Sequence, residues 1–67
     1  MEEIKIDCVY DYKDITHSYL IVRIVDVNNF EIYSSHGALI EKIHDVADCF
    51  YVLYLLSIGE YPRKEVS

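Results

Sequence analysis

Residues 34–58 read SSHGALIEKIHDVADCFYVLYLLSI, and the fold turns on where the helix within that stretch begins. Leu39, Ile40, Ile43, Val46, Ala47, Phe50, Leu53 and Tyr54 recur at spacings of three and four, the period of one helical face. Glu41, His44, Asp45 and Asp48 fill the opposite side of the first turns. On this reading Ser34 or Ser35 caps a helix over about 36–58. A second reading makes His36-Gly37 a hairpin turn, 38–43 a fourth strand, and Asp45 the cap of a shorter helix. The continuous polar stripe favours the long helix. Gly37 speaks against it, because glycine inside a helix costs about 1 kcal/mol relative to alanine. Both readings end alike, with Gly59 at the position after the helix and Pro62 preventing continuation.

Upstream the period changes to two. Ile4, Ile6, Cys8, Tyr10 and Tyr12 alternate with Lys5, Asp7 and Asp11, broken only by Val9, which predicts a half-buried strand over 4–12. Lys13 to His17 reads as a polar loop. The β-branched run Ile21, Val22, Ile24, Val25 and Val27 predicts a second strand over 18–27. Asn28-Asn29 suits a two-residue turn of the primed type, since asparagine tolerates positive φ. That turn would pair Val27 with Phe30, Val25 with Ile32 and Ile24 with Tyr33, and it leads into a third strand over 30–34. The expected fold is α+β: a three- or four-stranded antiparallel sheet packed by one C-terminal helix, in a single domain over 1–67, with a frayed tail over 60–67.

At 67 residues the chain buries only about 60% of its unfolded surface, so it sits near the limit of independent stability. Disulfides, a metal or oligomerisation are the usual remedies. Two cysteines, Cys8 and Cys49, are too few for a disulfide scaffold, and Met1-Glu2-Glu3 does not open a signal peptide. Reduced thiols in a cytoplasmic protein are therefore expected. The longest apolar run, Cys49 to Leu56, falls short of the roughly 20 residues that span a bilayer.

The formal net charge is −6, from 12 acidic against 6 basic residues. Phosphate backbones and anionic lipid surfaces need clustered Lys and Arg, so neither direct nucleic-acid binding nor membrane binding is expected. An acidic body suits a protein partner with a basic surface. On the long helix Glu41, Asp45 and Asp48 form one stripe, and they are the candidate partner-binding residues.

Past Cys49 the helix becomes apolar on all sides. Val46, Phe50 and Leu53 are assigned to the sheet, with room for Ser57 and Cys49 beside them, which directs Tyr51, Leu55 and Ile58 elsewhere, with Val52 or Tyr54 at their flank. An outward apolar stripe of this kind marks an interface, and Tyr51, Tyr54, Leu55 and Ile58 are the candidates for self-association as a homodimer.

No cofactor or metal is expected. His44 and Asp48 are one turn apart, but no four-ligand spacing is present, Cys8 and Cys49 are isolated, and His17 and His36 fall in loops. Ser34, Ser35 and His36 are contiguous, and neighbours in sequence rarely reach attack geometry. The expected function is thus that of a small, acidic, non-enzymatic interaction module, a homodimer that binds and inhibits or regulates another macromolecule. It matches in kind the compact inhibitors that bacteriophages and mobile elements encode, some of which imitate nucleic-acid charge against a basic, nucleic-acid-binding partner. The competing expectation is a small-ligand-binding or accessory domain, with a pocket between sheet and helix lined by Tyr10, Tyr12, Tyr33 and Phe50.

Overall fold

A computed structural model of the chain describes residues 2–61. Four strands, β1 (Glu2–Tyr12), β2 (Ile15–Asp26), β3 (Asn29–Ser34) and β4 (Leu39–Ile43), precede one helix, α1 (Val46–Ser57). The strands form an antiparallel meander in the order β1-β2-β3-β4, and α1 packs on one face. The expected βββα arrangement is present, in its four-stranded form.

The long helix over 36–58 is corrected. Residues 34–38 close a tight turn in which the Ser34 amide donates to the Ala38 carbonyl at 2.8 Å and the Gly37 amide to the Ser34 carbonyl at 2.9 Å. Gly37 stands at φ +86, a backbone state that glycine adopts without steric cost. The buried Ser34 hydroxyl, rather than capping a helix, accepts from the amides of His36 and Ala38. Residues 39–43 then pair with β3, Phe30 opposite Ile43 and Ile32 opposite Glu41. Asp45, in an extended conformation (φ −152, ψ 137), caps α1 by accepting from the Asp48 amide. At the other end the Gly59 amide reaches the Leu56 carbonyl and the Glu60 amide the Leu55 carbonyl, the paired bonds of a Schellman motif, with Gly59 at φ +75. That terminus was expected. The tail expected over 60–67 lies, from 62 onward, outside the described residues.

The first loop is tighter than expected. Tyr12 pairs with Ile15, so Lys13 and Asp14 alone make the turn, both at positive φ as a type I′ hairpin requires. His17 accordingly belongs to β2. The second hairpin is displaced from Asn28-Asn29. Asp26 pairs with Asn29, and its carboxylate accepts from the Asn28 amide at 2.9 Å and from the Asn29 side-chain amide at 2.7 Å. This Asx turn reverses the chain one residue early, at Val27 and Asn28. Those same bonds hold the Asp26 carboxyl below its ordinary range, the Asn28 amide contributing most. The register follows: Ile24 faces Phe30 and Val22 faces Ile32, with an irregularity between Ile24 and Asp26. Val25 and Val27 are left exposed.

The alternation in β1 holds, and its one exception has a cause. A bulge between Asp7 and Tyr10 absorbs an extra residue, leaving Val9 in solvent while Tyr10 enters the core. The core joins Tyr10, Leu20, Val22, Phe30, Ile32 and Ile43 of the sheet to Cys49 and Leu56 of α1. Full burial of such side chains is worth roughly 1.5–3 kcal/mol each.

The opposite face of the sheet carries two cross-strand rows. One runs Glu3, Arg23, Glu31, Lys42, alternating in sign, with Arg23 Nη1 3.8 Å from Glu31 Oε1. The next runs Lys5, Ile21, Tyr33, Leu39. No second layer covers this face among the described residues.

Candidate functional site

Three regions of chemical interest emerge, and the helix borders two of them. The acids Glu41, Asp45 and Asp48 do not form the helical stripe expected of them, because Glu41 lies on β4. They nevertheless line one open depression of about 540 Å³ between the end of β4 and the start of α1, together with Lys42, His44, Tyr51 and Val52. Two of the three carboxylates already have internal duties. Glu41 accepts a hydrogen bond from the Tyr61 hydroxyl, and burial together with that bond pushes the Tyr61 phenol up to about 12. Asp45 caps the helix. Asp48 is exposed, and it sits in the first turn of α1, where the helix dipole favours an anion. His44 Nδ1 lies 2.7 Å from Asn29 Oδ1, joining the rim of this depression to the β2–β3 hairpin.

The second region is apolar. Of Val46, Phe50 and Leu53, expected against the sheet, only Leu53 packs on the core, and Val46 and Phe50 are exposed. Cys49 and Leu56 are buried, Val52 and Leu53 pack beside them, and Phe50 is 68% exposed. Leu55, expected at the outer surface, is only 6% exposed and is withdrawn from the candidate interface. Tyr51, Tyr54 and Ile58 lie outward as expected, Tyr54 at 59% exposure. Phe50 therefore joins them, at a spacing of i, i+1, i+4 and i+8. It also forms one wall of a groove of about 320 Å³, with Val46 and Leu53 facing Ile4, Ile6 and Ile24 of the sheet and no polar surface in the lining.

The aromatic pocket expected of Tyr10, Tyr12, Tyr33 and Phe50 does not assemble. Tyr10 is buried in the core and Tyr12 packs against it, but Tyr33 stands on the far face of the sheet, its hydroxyl on Glu31 at 2.9 Å.

The third region was missed from the sequence. His17, placed in a loop by the sequence pattern, is 3% exposed in β2. Its Nδ1 is 2.9 Å from Ser35 Oγ and 3.0 Å from His36 Nδ1, and Ser35 Oγ is 3.4 Å from His36 Nδ1. Tyr10 stacks on the His17 ring, centroids 4.9 Å apart and planes 18° from parallel. His17 Nε2 and the Tyr10 hydroxyl are buried without a hydrogen-bond partner among the described residues. Burial chiefly raises the Tyr10 phenol above its ordinary value; the Ser35 backbone pulls the other way without reaching hydrogen-bonding geometry. The only signal in the sequence was the pairing of Tyr10 with position 17, and the loop misread at 13–17 concealed it.

A serine beside a histidine raises the question of nucleophilic catalysis. The base in such a system is oriented through its second ring nitrogen, and here that atom, His17 Nε2, has no hydrogen-bond partner among the described residues. In both cysteines the thiolate is disfavoured. Burial pushes both thiols up, and the Asp7 charge adds to the rise at Cys8. No helix among the described residues is long and apolar enough to cross a membrane. Comparison with known proteins found no matching family model, no matching curated protein and no matching solved structure.

Proposed function

We propose that this chain is a non-enzymatic interaction module that pairs with a second copy of itself through the outer side of α1 and presents its acidic depression to a basic protein. The observation that carries the reading is the stripe of Phe50, Tyr51, Tyr54 and Ile58, exposed to solvent and continuous with a wholly apolar groove. Exposed apolar surface of this extent marks an interface, and tyrosine at such a surface buries area with few rotors.

Charge favours a second copy as the occupant. A chain of net charge −6 repels its own image over most of its surface, yet none of the four stripe residues carries a charge. Twofold pairing there brings uncharged side chains together and relieves the shortage of core in so short a domain. The depression holding Asp48 then lies at the rim, open to Lys and Arg of a partner of the kind that meets nucleic acid, which it would inhibit or regulate by covering that basic surface.

Sedimentation equilibrium across the micromolar range tests the self-association. The expected result is a dimer that Phe50→Glu converts to a folded monomer, while Asp48→Asn leaves it intact. A wild-type chain that is monomeric throughout that range overturns the proposal.

A further inference from the structure

We propose that His17, Ser35 and His36 form a binding site for a first-row divalent transition ion, with zinc or copper(II) the chemistry it fits. Two histidines nineteen positions apart bring their Nδ1 atoms to 3.0 Å, and the Ser35 hydroxyl closes a triangle at 2.9 and 3.4 Å. An ion bound about 2.05 Å from each of two donors spans them by roughly 2.9 Å at a right angle and roughly 3.4 Å at the tetrahedral angle. All three edges of the triangle fall in that interval.

Hydrogen bonding accounts for the cluster less completely. The His17 Nδ1 atom faces two neighbours, but a ring nitrogen offers either one N–H or one in-plane lone pair. One good hydrogen bond exhausts it, and the second contact goes unserved. A cation at the apex of the triangle uses a lone pair from every member.

The donors are preset. Stacking on Tyr10 fixes the His17 ring, and the two amide bonds to the Ser34 hydroxyl fix the backbone that carries His36. The cluster opens on a depression of about 360 Å³ bordered by Thr16, Ser18 and Tyr19, which gives an ion its entry and leaves room for its remaining water ligands.

The donor set dictates selectivity. No carboxylate among the described residues lines this depression, so nothing described there suits the hard ions calcium and magnesium, whereas imidazole nitrogen suits zinc, copper and nickel. It also limits affinity. Among the described residues no group of three or more His, Cys, Asp or Glu is placed to hold an ion, so the third ligand is a hydroxyl. His17 Nε2 lacks the acceptor that ordinarily steadies a ligating histidine, a loss worth about 10–100-fold in affinity. Micromolar binding follows.

Calorimetric titration of the full chain with zinc, copper(II) and magnesium chlorides, in a buffer that does not chelate, tests the site. The expected result is one micromolar site for zinc, tighter for copper(II), and no heat with magnesium. His36→Ala, at an exposed position whose backbone bonds survive the change, should weaken zinc about tenfold or more; His44→Ala should not alter it. The buried His17→Gln should abolish binding, with circular dichroism reporting whether the sheet persists. Histidine resonances should shift for His17 and His36 and not for His44. Absence of zinc and copper binding up to millimolar ion, or a His36→Ala variant that binds like the parent, overturns the proposal.

Discussion

The contact between Tyr61 and Glu41 ties the segment after the helix to β4, and it does so with a phenol that must keep its proton. The folded state raises that phenol from 10.0 to about 12, first by burial and then through the Glu41 carboxylate. A group that holds its proton more tightly when folded contributes stability that is complete below its unfolded pKa and is lost as pH rises through the folded one. Stability should therefore decline from about pH 10 toward pH 12. Ultraviolet titration should show, besides the buried Tyr10, a late-ionising phenol that is missing from Tyr61→Phe, and alkaline unfolding of that variant should lose part of its pH dependence. Titration of the parent with every tyrosine ionised by pH 11 would contradict this.

At the scale of elements, the sequence was legible wherever one period held without competition. The alternation of β1, the β-branched β2 and the Gly59 terminus of α1 each had a single physical reading. Residues 38–48 did not. Leu39, Ile40 and Ile43 satisfy a helical face, yet an irregularity beside Tyr33 lets Ile40 and Ile43 both reach the core from a strand. What decides between the two lies outside the pattern: the Ser34 hydroxyl closing its turn, Gly37 at positive φ, and Asp45 capping. Which side of so apolar a helix meets the sheet is set by tertiary packing, and Phe50 and Leu55 exchanged places for that reason. The acids were recovered together all the same, since β4 and the first turn of α1 bring them to one depression. The His17 cluster was illegible because it depends on tertiary pairing across nineteen residues. The cap itself is open to measurement. Asp45→Ala should cost about 1 kcal/mol in urea unfolding. A cost near zero would mean that tertiary packing, and not the cap, fixes where α1 begins.

For the molecule as a whole, one small core is shared by five elements. Leu56 has no exposure and joins the helix to the sheet. Truncating such a side chain costs about 2–5 kcal/mol, whereas a chain of this length holds only about 3–10 kcal/mol in total. Leu56→Ala should therefore lose a large share of that total and melt well below the parent, measured by circular dichroism, and a midpoint equal to the parent's would contradict this. Association adds a dependence that no isolated fold has: the midpoint of thermal unfolding should rise with protein concentration, because the dimer draws material from the unfolded pool. In Phe50→Glu that dependence should vanish while the circular dichroism spectrum stays the same. A concentration-independent midpoint in the parent would speak against pairing as strongly as a monomer in the centrifuge.

Lys13 and Asp14 both stand at positive φ, at 54 and 62, in a turn where neither residue is the favoured one. Side chains in that region carry a penalty of roughly 1–2 kcal/mol that Asn-Gly largely avoids. Replacing the pair, Lys13→Asn with Asp14→Gly, should raise stability by about 1 kcal/mol in urea unfolding. No residue of the acidic depression, the helix stripe or the histidine cluster is altered. The exchange thus yields a hardened parent chain in which a variant of Phe50, Asp48 or His36 that loses binding can be separated from one that has merely come apart.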